Sequence, residues 1–455
     1  MRSYGTGPGE KQALPRCLIG LQSLGWDRNR RPGKGWVLVV GEQPVDERED
    51  RRQNRAELRR AFVLPSVIGL IVLGVAGVNF ANGLSQKQNQ EAALTLPACQ
   101  VIPRAGLVPA DGALFGVNLD WHNKPLATFA TDLGRKPAVS VSFTGFPLTA
   151  KDESDLARAV EQIRSDGHMM LLTLEPHDGL SSVTEGTATA LAKDLNKFNE
   201  DGVPVIVRFA HEMNGSWYAW SQQPQEYIAA YRTIADAVHT HAPGSAMMWA
   251  PNYGGGYPFA GGTYEAKPGT ADFLALDTNG DGTLTMQDDA YAPYYPGDEA
   301  VDWVGMSLYH WGAKYPWGEN ELPEPGKFTD QLTGTYNGAN GDDSLLPDFY
   351  TVYGVDHGKP VAIPETAALY APGVGGDQEL AIKQAWWNQL FSPETHARFP
   401  QLKMVNWFEW DKTEVEVKGR VDWTITNTPA IREAFTTALP DWLRYGPDKT
   451  CRPQH

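Results

Sequence analysis

One pattern repeats between residues 106 and 446: a short apolar run, then an amphipathic stretch. The runs are Leu114–Asn118, Ala138–Phe143, Met169–Leu174, Val205–Phe209, Met247–Ala250, Trp303–Ser307, Pro360–Ile363 and Met404–Phe408. Helix-like segments separate them, among them Lys151–Ser165, Thr187–Phe198, Pro224–Thr240, Gln378–Leu390 and Pro429–Ala438. Strands that alternate with helices imply parallel β–α–β units, because parallel neighbours need a crossover connection. Eight such units over about 340 residues predict an α/β fold, a (β/α)8 TIM barrel with enlarged loops. An open doubly wound sheet is the alternative. No Gly-x-Gly-x-x-Gly follows the first run and no phosphate loop is present, so nucleotide-binding sheets lose ground.

The segment before the barrel reads differently. Residues 61–86 carry no charge, and five arginines (Arg51, Arg52, Arg55, Arg59, Arg60) precede them. Crossing a bilayer takes roughly 20 apolar residues. The sequence therefore predicts a single transmembrane helix over 61–83, with residues 1–60 as a cytoplasmic tail without clear periodicity and 84–105 as a linker. The barrel would then lie outside the cell, anchored to the membrane; the alternative is a signal peptide and a secreted barrel. Formal net charge is −16, yet residues 1–60 are basic, so the exported part is strongly acidic. That disfavours nucleic acid as a partner. Cys99 and Cys451 flank the barrel and would share an oxidising compartment, which points to a Cys99–Cys451 disulfide; two unpaired thiols are the alternative. Residues 447–455 form a short C-terminal tail. Nothing in the sequence indicates an oligomeric state.

In such a barrel the chemistry sits where strands end. The third run is followed by Glu175-Pro176-His177, the fourth by His211-Glu212-Met213-Asn214, the fifth by Pro251-Asn252-Tyr253. The sixth leads to Tyr309-His310-Trp311, the seventh to Glu365-Thr366, and the eighth contains Trp407 and ends near Glu409-Trp410. Carboxylates, histidines and rings thus gather on one rim. Hydrolysis of a glycosidic bond needs a carboxylic acid to protonate the leaving oxygen and a second carboxylate across the sugar ring. Glu212 suits the acid/base and Glu365 the nucleophile. Tryptophan and tyrosine rings suit the apolar faces of pyranoses. Arg208 is a charge inside the barrel, suited to holding a carboxylate or a neighbouring loop.

The run Arg208-Phe-Ala-His-Glu-Met-Asn-Gly-Ser-Trp-Tyr-Ala-Trp220 closely resembles the acid/base motif of glycoside hydrolase family 26, whose best-known members are endo-β-1,4-mannanases. Tyr295–Gly305 resembles the lead into that family's sixth strand, and Lys359–Thr366 its nucleophile strand. The resemblance covers about residues 110–425. It implies a retaining hydrolase acting by double displacement, with Glu212 as acid/base and Glu365 as nucleophile, and with no cofactor for catalysis. It also implies that His211 and Trp217 line the sugar site, that Tyr309 bonds near the nucleophile, and that Trp407 forms a stacking platform. Glu175 and Asn252 are further substrate-contact candidates, or groups that fix loops. Pro364 stands where the family usually has Ala, and Ala367 where it often has Gly. These departures flank the nucleophile and bear on the polymer: β-1,4-mannan is the first expectation, mixed-linkage β-glucan or β-1,3-xylan the alternatives. A non-catalytic carbohydrate-binding protein at the cell surface is a reading of another class.

Between the fifth and sixth runs, Asp277-Thr-Asn279-Gly-Asp281-Gly282-Thr283-Leu-Thr285-Met-Gln-Asp288 fits a twelve-residue calcium loop. Side-chain oxygens of Asp277, Asn279, Asp281, Thr285 and Asp288 and the backbone of Thr283 would ligate a structural calcium ion. An Asx-rich turn without metal is the alternative. The sequon Asn214-Gly-Ser216 lies inside the acid/base motif, where a glycan would block the site, and reads as chance.

Overall fold

The computed structural model describes residues 96–455, Pro316 excepted. The expected membrane helix at 61–83 lies outside them. Among the described residues, no helix is long and apolar enough to cross a membrane. From Ala98 onward these residues pack as one compact unit.

Eight parallel strands close into a barrel: β1 Ala113–Leu119, β2 Val139–Gly145, β3 Met169–Glu175, β4 Val205–Phe209, β5 Ser245–Trp249, β6 Trp303–Gly305, β7 Val361–Thr366 and β8 Leu402–Glu409. Closure comes from β8 lying against β1, with Leu114 opposite Met404 and Leu119 opposite Glu409. The strands are buried on both faces, so they read as continuous apolar runs. Inward side chains such as Leu114, Val141, Leu171, Ile206, Met248, Ala362 and Met404 fill the barrel. Outward ones such as Val117, Leu172, Val207, Ile363 and Trp407 meet the helices.

Helices begin where the sequence supplies caps. Thr149 and Asp152 bond each other's backbone at the start of α2 (Ala150–Asp166), which follows the short α1 (Leu126–Leu133). Thr184 and Thr187 do the same for α3 (Glu185–Glu200), and Pro224 opens α4 (Pro224–His241). Between β5 and β6, and again between β6 and β7, regular helix shrinks to short pieces (Ala271–Leu276, Lys327–Leu332) inside long loops. Loops that long commonly carry function.

The stretches expected as linker and tail meet beneath the barrel, at the N-terminal ends of the strands. Ala98 pairs with Arg452, Gln454 bonds Cys99 and Asp201, and Cys99 is joined to Cys451 by a disulfide. The bridge closes a separation of 352 residues. Gly202 packs against it so closely that a Cβ there would sit 2.7 Å from the Cys99 sulfur. A constraint of this kind acts mainly on the unfolded chain. Replacing both cysteines with serine is expected to cost about 2–5 kcal/mol, read as a fall in Tm in thermal unfolding of the full chain. Unchanged Tm would show that joining the ends contributes nothing.

Candidate active site

Arg208 points inward from β4 and is wholly buried. A buried cation needs partners. Its guanidinium bonds Oε1 of Glu365 on β7 and Oγ of Ser307 beyond β6 at 2.6 Å. Tyr309 donates its hydroxyl to the other Glu365 oxygen at 2.8 Å. Strand parity alone would not aim Glu365 inward. Val405 of β8 pairs with Ile363 and Trp407 with Thr366, so β7 advances three residues while β8 advances two. The bulge falls at Pro364-Glu365: Ile363 and Thr366 both face the helices, and Glu365 turns into the barrel. Bulges of this sort re-aim a side chain beside a site. Pro364 has no N–H to leave unpaired there.

Beyond β4 the backbone is strained. Ala210 (φ 45°) and Glu212 (φ 55°) adopt left-handed conformations that side chains rarely take. Neighbouring strands hold them: Ala210 N–H bonds the Leu174 carbonyl and Glu212 N–H the Ala250 carbonyl, each at 2.9 Å. Asn214 locks the turn further, its amide donating to the Asn252 carbonyl and accepting from the Asn252 N–H, both at 2.8 Å. Asn252 is therefore fixed through its backbone. Asn214 is wholly buried with its amide engaged, which leaves no room for a glycan. Gly215 is needed sterically, since a Cβ would come within 2.4 Å of the Trp217 ring.

Glu212 is nearly buried, and burial pushes its carboxyl up to about 7; the negative charge of Glu365 adds to the rise, and Arg208 opposes it. His211 is ringed by Phe143, Tyr218 and Trp220 at 5.0–5.8 Å, with Trp220 Nε1 donating to its carbonyl at 2.7 Å. Burial and the Arg208 charge hold its imidazole well below the usual range, hence neutral. Trp217 lies edge-on to Phe259 at 5.1 Å. Glu175 ends β3 with Oε2 at 3.5 Å from His177 Nε2, and that contact raises the His177 pKa against the effect of burial. Its Oε1 has no partner among the described residues, nor do Asn118 Nδ2, His211 Nδ1 and Trp217 Nε1, all buried at the ends of β1, β3 and β4. Buried polar atoms are normally satisfied. Several orphans at one rim suit a ligand rich in hydroxyl groups.

Two sequence expectations are corrected. Trp407 is not at the mouth. It is fully buried, packs on Phe435 of the helix Pro429–Ala438, and donates Nε1 to the Trp423 carbonyl at 2.9 Å. Period-two alternation places Phe408, not Trp407, on the inner face of β8. Phe408 stacks on Trp410 at 5.8 Å and meets Tyr309 at 5.8 Å. Trp423 and Trp311 extend this wall, 4.9 Å apart. Trp410 was already legible at the rim; Ser307 and Trp423 were missed, and Phe408 was not singled out as a site residue. Alternation could have found Phe408, and the hydroxyl at Ser307 inside an apolar run was a second signal.

The calcium loop is the other correction. Asp288 is buried and its carboxylate accepts backbone N–H groups of Thr278, Asn279 and Thr285. Asp277 accepts from Asp281 and Gly282, and Asp281 from Thr283. The carboxylates close the turn on its own backbone rather than converging on a shared point. Among the described residues, no group of three His, Cys, Asp or Glu is placed to hold a metal. Asn279 bonds the Asp281 N–H, and Thr285 the Gln287 N–H, in the same local fashion. Structural calcium is therefore unsupported.

Residues 163–264, which span Glu212 and its motif, match the sequence profile of glycosyl hydrolase family 26. Endoglucanase H of Acetivibrio thermocellus is 22% identical over 291 residues, 61% of this chain and 25% of the relative. A mannan endo-1,4-beta-mannosidase of Bifidobacterium adolescentis is 25% identical over 199 residues, 43% of this chain and 16% of the relative. The chain thus spans a quarter or less of the length of these curated relatives. A modular endo-beta-1,4-mannanase from Cellulomonas fimi superposes with a TM-score of 0.49 at 16% identity, over 79% of this chain and 80% of that one.

The raised Glu212 carboxyl has a consequence for stability. Its folded value lies above the ordinary 4.5, so its favourable contribution is complete below pH 4.5 and is lost as pH rises through about 7. Glu212→Gln is therefore expected to raise Tm, with a gap that is small at pH 4 and reaches its plateau above pH 7. A gap independent of pH would contradict the assignment. The likeness to glycosyl hydrolase family 26 is thus carried by residues 163–264, the stretch that holds Arg208, His211, Glu212 and Trp217.

Proposed function

We propose that the barrel is a retaining, endo-acting glycoside hydrolase that cleaves a β-linked polysaccharide by double displacement. The observation that carries this reading is the pair of buried, electrically coupled glutamates at the ends of β4 and β7. One is poised to carry a proton near neutral pH; the other is held by Arg208 and Tyr309. Glu365 would attack the anomeric carbon while Glu212 protonates the departing glycosidic oxygen. Glu212, now ionised, would take a proton from water, whose oxygen displaces Glu365 and frees the sugar with its original configuration. Arg208 and Tyr309 orient the nucleophile. His211, Trp217, Glu175 and the loop fixed through Asn252 line the sugar site.

β-1,4-Mannan is the first substrate, supported by the likeness to the Bifidobacterium mannosidase. Mixed-linkage β-glucan is the second, because Endoglucanase H matches over the longer stretch. A purely carbohydrate-binding role does not account for the coupled glutamates. We place the barrel outside the cell, tethered through residues 61–83. The Cys99–Cys451 bridge supports an oxidising location and the uncharged run supports the tether.

The full chain, assayed on washed membranes of a producing host, is expected to release reducing ends from mannan or β-glucan. Activity only in the soluble fraction would remove the tether. Glu212→Gln and Glu365→Gln are each expected to lower kcat by about 10²–10⁴-fold or more. Since Glu212 must be protonated for the first step, the rate should fall as pH rises past about 7. Full activity in either variant would overturn the assignment of roles.

A further inference from the structure

Outward from Tyr309 and its ring wall, the loop after β6 carries further rings that the chemistry above does not use. Tyr309, bonded to Glu365, has its ring 6.1 Å from that of Trp311, and Trp311 meets Trp423 at 4.9 Å. Farther along the same loop Tyr315 and Trp317 pack edge to face at 5.9 Å, both half-buried. Gly318 seats this loop on Val417, at the tip of the hairpin formed by Asp411–Glu414 and Gly419–Asp422; a Cβ there would lie 3.1 Å from the valine. The loop after β7 closes the other side, with Asn320 Nδ2 bonding the Ala371 and Val374 carbonyls at 3.0 and 3.1 Å. The buried amine of Lys327 ties down the Gly312 carbonyl at 2.9 Å. Leu322, Val374 and Val415 are 44%, 47% and 52% exposed around this spot.

Three loops, following β6, β7 and β8, are thus held together to present apolar surface to solvent beside the catalytic mouth. Exposed patches of this kind mark binding sites. Tyr309, Trp311 and Trp423 form a ring wall beside the nucleophile, and a Cβ on Gly312, next to Trp311, would lie 4.0 Å from the Trp317 ring, so the occupant that fits is the remainder of the chain being cut. Sugar units are apolar on their faces and polar at their rims, which suits half-buried rings flanked by Lys314, Glu319 and Lys418.

We propose that Tyr315 and Trp317 form a distal carbohydrate-binding subsite, taking a sugar unit of the same β-linked polysaccharide several units from the bond that is cleaved. This rests on the hydrolase reading above. The test uses the full chain with β-1,4-linked manno- and gluco-oligosaccharides of increasing length. Trp317→Ala is expected to raise KM about tenfold, equivalent to about 1.4 kcal/mol, on the polymer and the longest oligosaccharides. KM on the shortest oligosaccharide cleaved should not change, nor should kcat or Tm. Trp317→Phe, which keeps a ring, should restore most of the loss. Unchanged KM at every length, or an equal rise at every length, would overturn the subsite while leaving the hydrolase reading intact. A wild-type chain inert at every length would instead sink the hydrolase reading, and the subsite with it.

Discussion

The barrel is organised around one buried cation. Arg208 sits where an unpaired charge would be severely destabilising, so its partners are constrained by more than packing. Holding it requires a carboxylate from the far side of the barrel, and Glu365 reaches it because β7 bulges at Pro364. Ser307 and Tyr309 then complete the set around the same two groups. The negative charge so fixed acts on Glu212 and helps keep its proton. Burial is the larger cause of the raised Glu212 carboxyl, the Glu365 charge adds to it, and Arg208 itself opposes it.

The strained turn after β4 depends on the same frame. Left-handed backbone at Ala210 and Glu212 costs of order 1–3 kcal/mol per residue and persists only where surroundings over-determine it. Here the ends of β3 and β5, and the paired amide of Asn214, supply the constraint. The disulfide and the segments around Cys99 and Cys451 close the N-terminal face, away from the mouth. Strained backbone and orphaned polar atoms lie at the opposite rim, where β3 and β4 end.

Much of this was legible in the sequence. Eight apolar runs fall on the eight strands, because strands buried on both faces cannot alternate with polar residues and so stand out as blocks. Both glutamates were legible because each follows such a block. Less visible were features set by tertiary contacts. Trp407 looked like a platform by resemblance, yet strand parity sends it to the helices and gives the inner face to Phe408. The spacing of oxygens at 277–288 matches a metal loop, but spacing does not reveal that Asp288 would bury itself and cap its own backbone. The bulge at Pro364 breaks the very periodicity from which orientation is read.

The central claim is that burial and the Glu365 charge together keep Glu212 protonated near neutrality. Its titration can be followed by infrared difference spectroscopy of the full chain, using Glu212→Gln to identify the band. The account predicts an apparent pKa near 7, moving down when Glu365 is replaced by Gln and its charge is lost. A value near the ordinary 4.5 in the parent chain, or one that does not respond to Glu365→Gln, would contradict it.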